Sequence, residues 1–453
     1  MNENIFRAYD IRGIFGKDLT PEIAEKIGKV FGTYIGEGKR IVVGRDVRLS
    51  GEVLKDALIN GLTSVGCDVT DIGIVPTPVF YFAIPYHKFN GGVMITASHN
   101  PAEWNGFHLC REKGLFCAQG SGMEEIKEMV LKNQFKRAER VGKVETYDKI
   151  FKDYTDFVLP RIKVIKKLKV ILDCSNGTTG LITPHLLESS NCEVVTLNGE
   201  PDGRFPAHLP EPTEETLKEL KEKVVELNAD FGVGYDCDGD RAVFVDEKGR
   251  LLSLDKAPII FIEDVLKKNK NAKILYDVSC SLTIEEFIKN KGGIPVISRI
   301  GHAFFPEKMI NMNISFGCER AAHYYFSETY GFDDGTFSTL KMAEILSNSE
   351  KSLSEIVDSL PHYYSMQKNF ECDDKTKFEI IKNLKIKFSK LGFDINDLDG
   401  VKASNEEGWI LIRPSNTEPL IRIFAEAKNE GKLKELFELG ESLLREEIEN
   451  FKG

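Results

Sequence analysis

Arg40-Ile-Val-Val-Gly-Arg-Asp46 is the stretch on which the reading of the fold turns. A short run of β-branched residues ends in charge, the pattern of a buried strand that opens into a loop. Two further runs end the same way, Lys169-Val-Ile-Leu-Asp173 and Lys273-Ile-Leu-Tyr-Asp277. Helical spacing follows, as at Val53, Leu54, Ala57, Leu58 and Leu62, and again at Leu282, Ile284, Phe287 and Ile288. A second strand then begins in each case: Cys67 to Ile72, Cys192 to Leu197, and Ile294 to Ile297. Strand, helix and strand, three times over, predict three α/β units built on βαβ crossovers.

The tail has another character. Trp409-Ile-Leu-Ile-Arg413 and Leu420-Ile-Arg-Ile-Phe424 read as strands joined by a polar loop. Leu433, Leu436, Phe437, Leu439, Leu443 and Leu444 then mark one face of a helix. The expected fold class is α/β, with three similar mixed-sheet α/β domains and a C-terminal α+β domain. The expected spans are 1–150, 151–250, 251–364 and 365–453.

Length and composition agree. At roughly 100–200 residues per domain, 453 residues suggest three or four domains. Hydrophobic residues at 42% and charged residues at 29% allow each a core and argue against disorder. Lys and Arg number 60 against 71 Asp and Glu, a net charge of −11. That balance argues against nucleic acid or an anionic membrane as the main partner, so any anionic ligand must be met by local arginines or a metal. The nine cysteines form no C-x-x-C pair, which fits free thiols in a reducing cytoplasm. The first residues, Met-Asn-Glu-Asn-Ile-Phe-Arg, carry no signal-peptide pattern, and no apolar stretch is long enough to span a bilayer. Nothing in the sequence fixes the oligomeric state.

Four loops hold residues that can carry chemistry. In Thr96-Ala-Ser-His-Asn-Pro101, Ser98 lies just beyond the apolar run Gly92 to Ile95, where a rigid sheet can present a hydroxyl. A neighbouring base would make it a nucleophile or phosphate carrier; otherwise the loop is a polar turn. In Asp236-Cys-Asp-Gly-Asp-Arg241, three alternating carboxylates can converge on one cation, and oxygen-only ligation suits Mg²⁺. An EF-hand loop competes, with Glu247 at its twelfth position, but Arg241 stands where its glycine belongs. Arg413-Pro-Ser-Asn-Thr-Glu-Pro419 offers a guanidinium, hydroxyls and turn N–H groups to a phosphate dianion, or is a polar hairpin loop. Glu319, in Cys318-Glu-Arg-Ala-Ala-His323, can accept two sugar hydroxyls or be an ion-paired surface glutamate. Phe6-Arg-Ala-Tyr-Asp-Ile-Arg-Gly13 adds Arg7 and Arg12, for a phosphate or for structural ion pairs.

In this order, FRAYDIRG, TASHNP, DCDGDR, GFDDG (331–335) and RPSNTEP resemble the α-D-phosphohexomutase family, from Phe6 to about Ala427. The resemblance implies four domains, each giving one loop to a central cleft. It implies a phosphoserine at Ser98, lined by His99 and Asn100, and Mg²⁺ held by Ser98, Asp236, Asp238 and Asp240. Arg12 and Arg241 would sit by the transferring phosphate, with Tyr9, His302 and Glu319 at the sugar. Arg413, Ser415, Asn416 and Thr417 would hold the phosphate that does not react. The implied activity interconverts hexose 1-phosphate and hexose 6-phosphate, mannose or glucose, through a bound hexose 1,6-bisphosphate that also serves as activator.

Three departures bear on the substrate. The family's Asn-Gly-x-Lys reads Asn105-Gly-Phe-His108 here, so His108 is a candidate acid/base in place of lysine. Ala321 lacks the hydroxyl of the usual sugar loop and Arg320 adds a charge beside it. Ser279 stands where many relatives place a lysine, and Cys237, a soft ligand, is not expected to bind a hard cation. A phosphoglucosamine mutase, a sugar-phosphate-binding homologue without turnover, and a slow phosphatase are the alternatives.

Overall fold

The stretch Arg40–Arg45 forms the expected strand, parallel to Asp68–Ile74 on one side and to Gly91–Ile95 on the other. Helix Gly51–Ser64 makes the crossover. Trp104–Arg111 pairs antiparallel with Gly91–Ile95, Ile11–Ile14 pairs antiparallel with Trp104–Arg111, and Val144–Thr146 lies parallel to Asp68–Ile74 at the far edge. The result is a six-stranded mixed sheet. The C-terminal ends of Arg40–Arg45 and Gly91–Ile95 lie side by side, and the Asp46 N–H donates to Ile95 O at 2.9 Å. Loops leaving that edge are therefore brought together, as at the carboxyl ends of parallel strands generally.

This computed structural model describes residues 1–373, 375–415 and 420–451. They form two compact units, Met1–Val265 with Gly301–Asp358, and Leu266–Ile300 with Ser359–Gly453. The first unit holds the six-stranded sheet and a four-stranded one. In the latter, Leu168–Asp173 pairs in parallel with Cys192–Leu197 and Phe231–Tyr235, and Ala242–Asp246 folds back antiparallel on Phe231–Tyr235. Both strands of that hairpin are buried throughout, which fixes the acidic loop between them. Phe316–Cys318 and Tyr324–Phe326 pair antiparallel, and helix Gly335–Ser347 begins after Asp334, whose side chain caps it.

In the second unit Lys273–Asp277 and Ile294–Ser298 are parallel, joined by helix Leu282–Asn290. Its other part is a five-stranded antiparallel sheet in the order Tyr364–Glu371, Leu420–Ala427, Gly408–Pro414, Val401–Ser404, Asp394–Asn396. Leu384 and Phe388 of helix Lys377–Lys390 and Leu433, Phe437 and Leu444 of helix Glu430–Asn450 share a core with it. This is the α+β tail that its sequence predicts. All nine cysteines are buried free thiols. Among the described residues no helix is long and apolar enough to cross a membrane.

Helices Pro21–Ile35 and Gly51–Ser64 pack so closely that two glycines have no room for a side chain. A Cβ at Gly28 would lie 2.3 Å from Leu58 O, and one at Gly61 would lie 2.1 Å from Glu25 O. The first helix is fixed at its start by Thr20, whose hydroxyl accepts from the Ile23 N–H, and by Pro21 in its first turn. Neither helix can slide without exposing the apolar residues beneath it. Gly61→Ala is expected to destabilise the protein by about 1–3 kcal/mol, read as a lowered thermal midpoint; an unchanged midpoint would mean that the helices separate freely.

Candidate active site

Ser98 sits in the loop beyond Gly91–Ile95 with φ +47°, a left-handed conformation costly for serine. Its own N–H donates to Thr96 Oγ1 at 2.9 Å. Its hydroxyl donates to Asp236 Oδ2 at 3.0 Å and lies 3.1 Å from His99 Nδ1. The loop is gripped from beneath by Arg48, which is fully buried. Arg48 Nη2 donates to Ser98 O at 2.7 Å and Asn100 O at 2.6 Å, and Nη1 to Pro101 O at 2.6 Å and Trp104 O at 3.0 Å. Its Nε donates to Asp46 Oδ2 at 3.0 Å, and Phe205 covers it with the ring centroid 5.2 Å from Cζ.

The acidic loop curls around Asp236, whose Oδ1 accepts the N–H groups of Gly239 at 3.2 Å and Arg241 at 3.3 Å. Gly239 has φ +75°, so glycine makes that curl easy. Asp236, Asp238 and Asp240 are buried and present ligand atoms within 4.8 Å of one another. Thr77 Oγ1 donates to Asp238 Oδ2 at 2.7 Å. Thr96 Oγ1 lies 2.8 Å from Asp46 Oδ2 and 3.0 Å from Asp238 Oδ2, and with one proton can donate to only one of them.

Asp238 Oδ1 and Asp240 Oδ1 have no hydrogen-bond partner among the described residues. Buried carboxylates of this kind call for a cation, and an all-oxygen set fits Mg²⁺. Burial, with the charge of Asp236, pushes the Asp238 carboxyl up to about 7, and burial with Asp238 and Asp236 pushes Asp240 well above the usual carboxylate range. The EF-hand alternative fails. Strands rather than helices flank the loop, and Glu247 turns away to accept from the N–H and hydroxyl of Ser354. Cys237 also turns away, its Sγ 3.6 Å from Asp46 Oδ2.

Two arginines stand against the serine loop and the acidic loop. Arg12 Nη1 donates to Asn100 Oδ1 at 2.5 Å, and its Nη2 pairs with Asp10 at 2.6 Å. Arg241 Nε donates to His323 Nε2 at 3.1 Å and lies 3.7 Å from Asp236 Oδ2. The charge of Arg241, then burial, holds His99 neutral, well below its usual range.

Glu319 is buried rather than a surface residue, which corrects that alternative. Its Oε1 accepts the Gly301 N–H at 2.7 Å and its Oε2 the Tyr325 hydroxyl at 2.6 Å. His302 follows that turn, with Tyr9 edge-on to its ring at 5.1 Å and His108 at 5.3 Å. His108 is buried on strand Trp104–Arg111, its Nδ1 3.1 Å from the Tyr81 hydroxyl. Burial, then His302, lowers its pKa well below the usual range. Arg320 lies 4.0 Å from Asp255.

In the second unit, Arg413 donates through Nε and Nη2 to both oxygens of Asp399, at 3.1 and 3.2 Å. Ser415 N–H donates to Leu420 O at 2.9 Å, and Lys377 Nζ to Ser415 O at 2.5 Å. Asn416 and Thr417 lie outside the described residues. Ser279 Oγ donates to Asp277 Oδ1 at 2.5 Å.

The first unit thus gathers Ser98, His99, Asn100, Arg12, the three aspartates and Arg241 into one place. Sequence reasoning did not single out Arg48, Asp46, Thr77, Thr96 or Asp333. The signal for the first two was present: Arg45-Asp-Val-Arg48 puts three charges at the end of a buried strand.

A presented serine beside convergent carboxylates and arginines has the groups that phosphoryl transfer requires. Models of the phosphoglucomutase/phosphomannomutase family match in chain order: α/β/α domain I over residues 3–137, domain II over 152–249, domain III over 254–364 and the C-terminal domain over 368–439. The chain belongs to this family. It is 39% identical to a phosphoglucomutase/phosphomannomutase of Thermococcus kodakarensis, across 98% of this chain and 99% of that one. It is 38% identical to a phosphomannomutase/phosphoglucomutase of Pseudomonas aeruginosa, across 96% and 94%. A crystal structure of a family protein from Burkholderia thailandensis superposes with a TM-score of 0.90 at 31% identity, covering 99% of this chain and 98% of that one.

A cation at the triad must displace the proton that Asp238, pushed up to about 7, still holds near neutral pH. Divalent-metal affinity is therefore expected to fall as pH drops below about 7, with more protons released on binding at about pH 6.5 than at about pH 8. Calorimetry in two buffers of different ionisation heat measures this; equal release at both pH values would contradict it.

Proposed function

We propose that the protein interconverts hexose 1-phosphates and hexose 6-phosphates, of glucose and mannose, through a phosphoserine at Ser98. The observation that carries this is the 3.0 Å bond from the Ser98 hydroxyl to Asp236, in a triad with two unpartnered carboxylate oxygens. Asp236, Asp238 and Asp240, with an oxygen on Ser98, would hold Mg²⁺. When bound, that ion would supply positive charge to the oxygens of the transferring phosphoryl group.

The chain's own residues do the rest. Arg48 fixes the carbonyls around Ser98, so the hydroxyl is held in place before substrate arrives. Arg12 and Arg241 offer guanidiniums to the phosphoryl oxygens. Neutral His99, 3.1 Å from Ser98 Oγ, can exchange a proton with it. Glu319, His302 and Tyr9 face the sugar, and Glu319 is already oriented by Gly301 and Tyr325. Arg413, Ser415, Asn416 and Thr417 would hold the phosphate that does not react, and Asp399 orients Arg413 for that task. Hexose 1,6-bisphosphate would be both intermediate and activator. The buried free thiols support work in a reducing compartment, the cytoplasm.

The second reading is a phosphoglucosamine mutase. A relative named probable phosphoglucosamine mutase, from Methanosarcina acetivorans, is 36% identical across 98% of this chain and 99% of that one.

The deciding experiment supplies glucose, mannose and glucosamine 1-phosphates with Mg²⁺ and the matching bisphosphate, and follows the 6-phosphate. Turnover of the glucose and mannose esters, with a phosphoryl mass on Ser98, is expected. Preference for glucosamine phosphate would establish the second reading. Release of inorganic phosphate alone would indicate a phosphatase, and binding without turnover a sugar-phosphate binder. Ser98→Ala is expected to lower kcat by about 10⁴–10⁶-fold.

His108 is assigned a proton-transfer role, supported by its hydrogen bond to Tyr81 and its place beside His302. His108→Ala should then lower kcat by about 10²–10⁴-fold with KM little changed. Full turnover in that variant would remove the role.

A further inference from the structure

The acidic triad does not exhaust the buried ligating groups of the first unit. Asp240, His302 and Asp333 also present ligand atoms within 4.8 Å of one another, and all three are buried. Asp240 Oδ1, His302 Nδ1 and both oxygens of Asp333 have no hydrogen-bond partner among the described residues. Asp333 is fully buried. A carboxylate in that position ordinarily collects N–H or O–H donors. Here His302 Nδ1 comes within 3.3 Å of Asp333 Oδ2, an ion-pair distance, without forming an aligned hydrogen bond.

The 3.3 Å between His302 Nδ1 and Asp333 Oδ2 is also the spacing of two ligands on one metal ion. Ligand atoms around a tetrahedral ion with bonds of about 2.0–2.1 Å lie about 3.3–3.4 Å apart. One imidazole and two carboxylates suit a borderline ion such as Zn²⁺ or Co²⁺, whereas the all-oxygen triad suits Mg²⁺. His323 is an outer partner rather than a ligand. Its Nε2 accepts from Arg241, so its proton lies on Nδ1, 2.8 Å from Asp333 Oδ2, again an ion-pair distance without an aligned hydrogen bond. Helix Gly335–Ser347 starts immediately after this pair of aspartates and holds them in place, with Asp334 as its cap.

We infer that Asp240, His302 and Asp333 form a second divalent-metal site, for a borderline transition ion such as Zn²⁺, adjoining the triad and sharing Asp240 with it. Three protein ligands leave a coordination position open. An ion there would use Asp240 as a carboxylate bridging to the triad, so that both sites can fill together, and would occupy His302.

The test loads the full-length protein with Co²⁺ and follows stoichiometry by equilibrium dialysis and coordination by visible absorption. Two equivalents per chain are expected. One should give the intense absorption of a four- or five-coordinate site and resist excess Mg²⁺; the other should be displaced by it. His302→Ala is expected to lose the intense band and one equivalent, and Asp236→Asn to keep the band. A single equivalent in the unaltered protein, or an intense band that survives in His302→Ala, would overturn the site. If His302→Ala does not fold by circular dichroism, pulsed EPR of the Cu²⁺-loaded unaltered protein decides. Imidazole nitrogen coupling supports the site, and its absence means that His302, Asp333 and His323 are an ion-pair network only.

Discussion

The buried Arg48–Asp46 pair is the constraint on which the candidate site depends. A guanidinium without solvent contact is costly unless each of its donors is used. Here Nε is used by Asp46 and the two terminal nitrogens by four carbonyls of the Ser98 loop. The arrangement works in both directions. The loop satisfies the charge, and the charge holds the loop in a backbone conformation that serine does not favour. The position of the hydroxyl thus follows from the end of the neighbouring strand, Arg40–Arg45, not from the loop's own preferences.

Asp46 also ties this grip to the acidic loop. Thr96 lies between Asp46 and Asp238, and Thr77 reaches Asp238 from the start of helix Thr77–Tyr86. Two sheets of the first unit therefore meet through hydroxyls placed between carboxylates. Such contacts are worth little individually, yet they fix which oxygen of Asp238 faces the protein and which is left for a cation. The site crowds buried negative charge together, and such a cluster calls for a positive ligand.

Much of this was legible in the sequence. Runs such as Arg40–Arg45 and Phe231–Tyr235 carry their burial in their composition, and each ends in the loop that matters, so strands, crossovers and the aspartate cluster could be read directly. The α+β tail was equally plain in Trp409 to Arg413 and in the apolar stripe after Leu433. Partnership was harder to read. Arg48 is an arginine in a loop until the fold places four carbonyls around it. Glu319 reads as a surface residue until Gly301 and Tyr325 are seen to share its carboxylate. Asp333 stood in a quoted motif without a role, because its neighbours His302 and His323 come from separate segments. Long-range side-chain convergence has no periodicity, and periodicity is what a single sequence displays best.

The nine interior thiols have a consequence of their own. They are spread from Cys67 to Cys372 along the chain, with none at the surface. A thiol-labelling reagent can reach one only after its surroundings have opened, so the order in which the sulfurs become modified would chart which parts of the chain breathe first. The protein thus carries, without any engineering, a set of internal clocks for its own local unfolding.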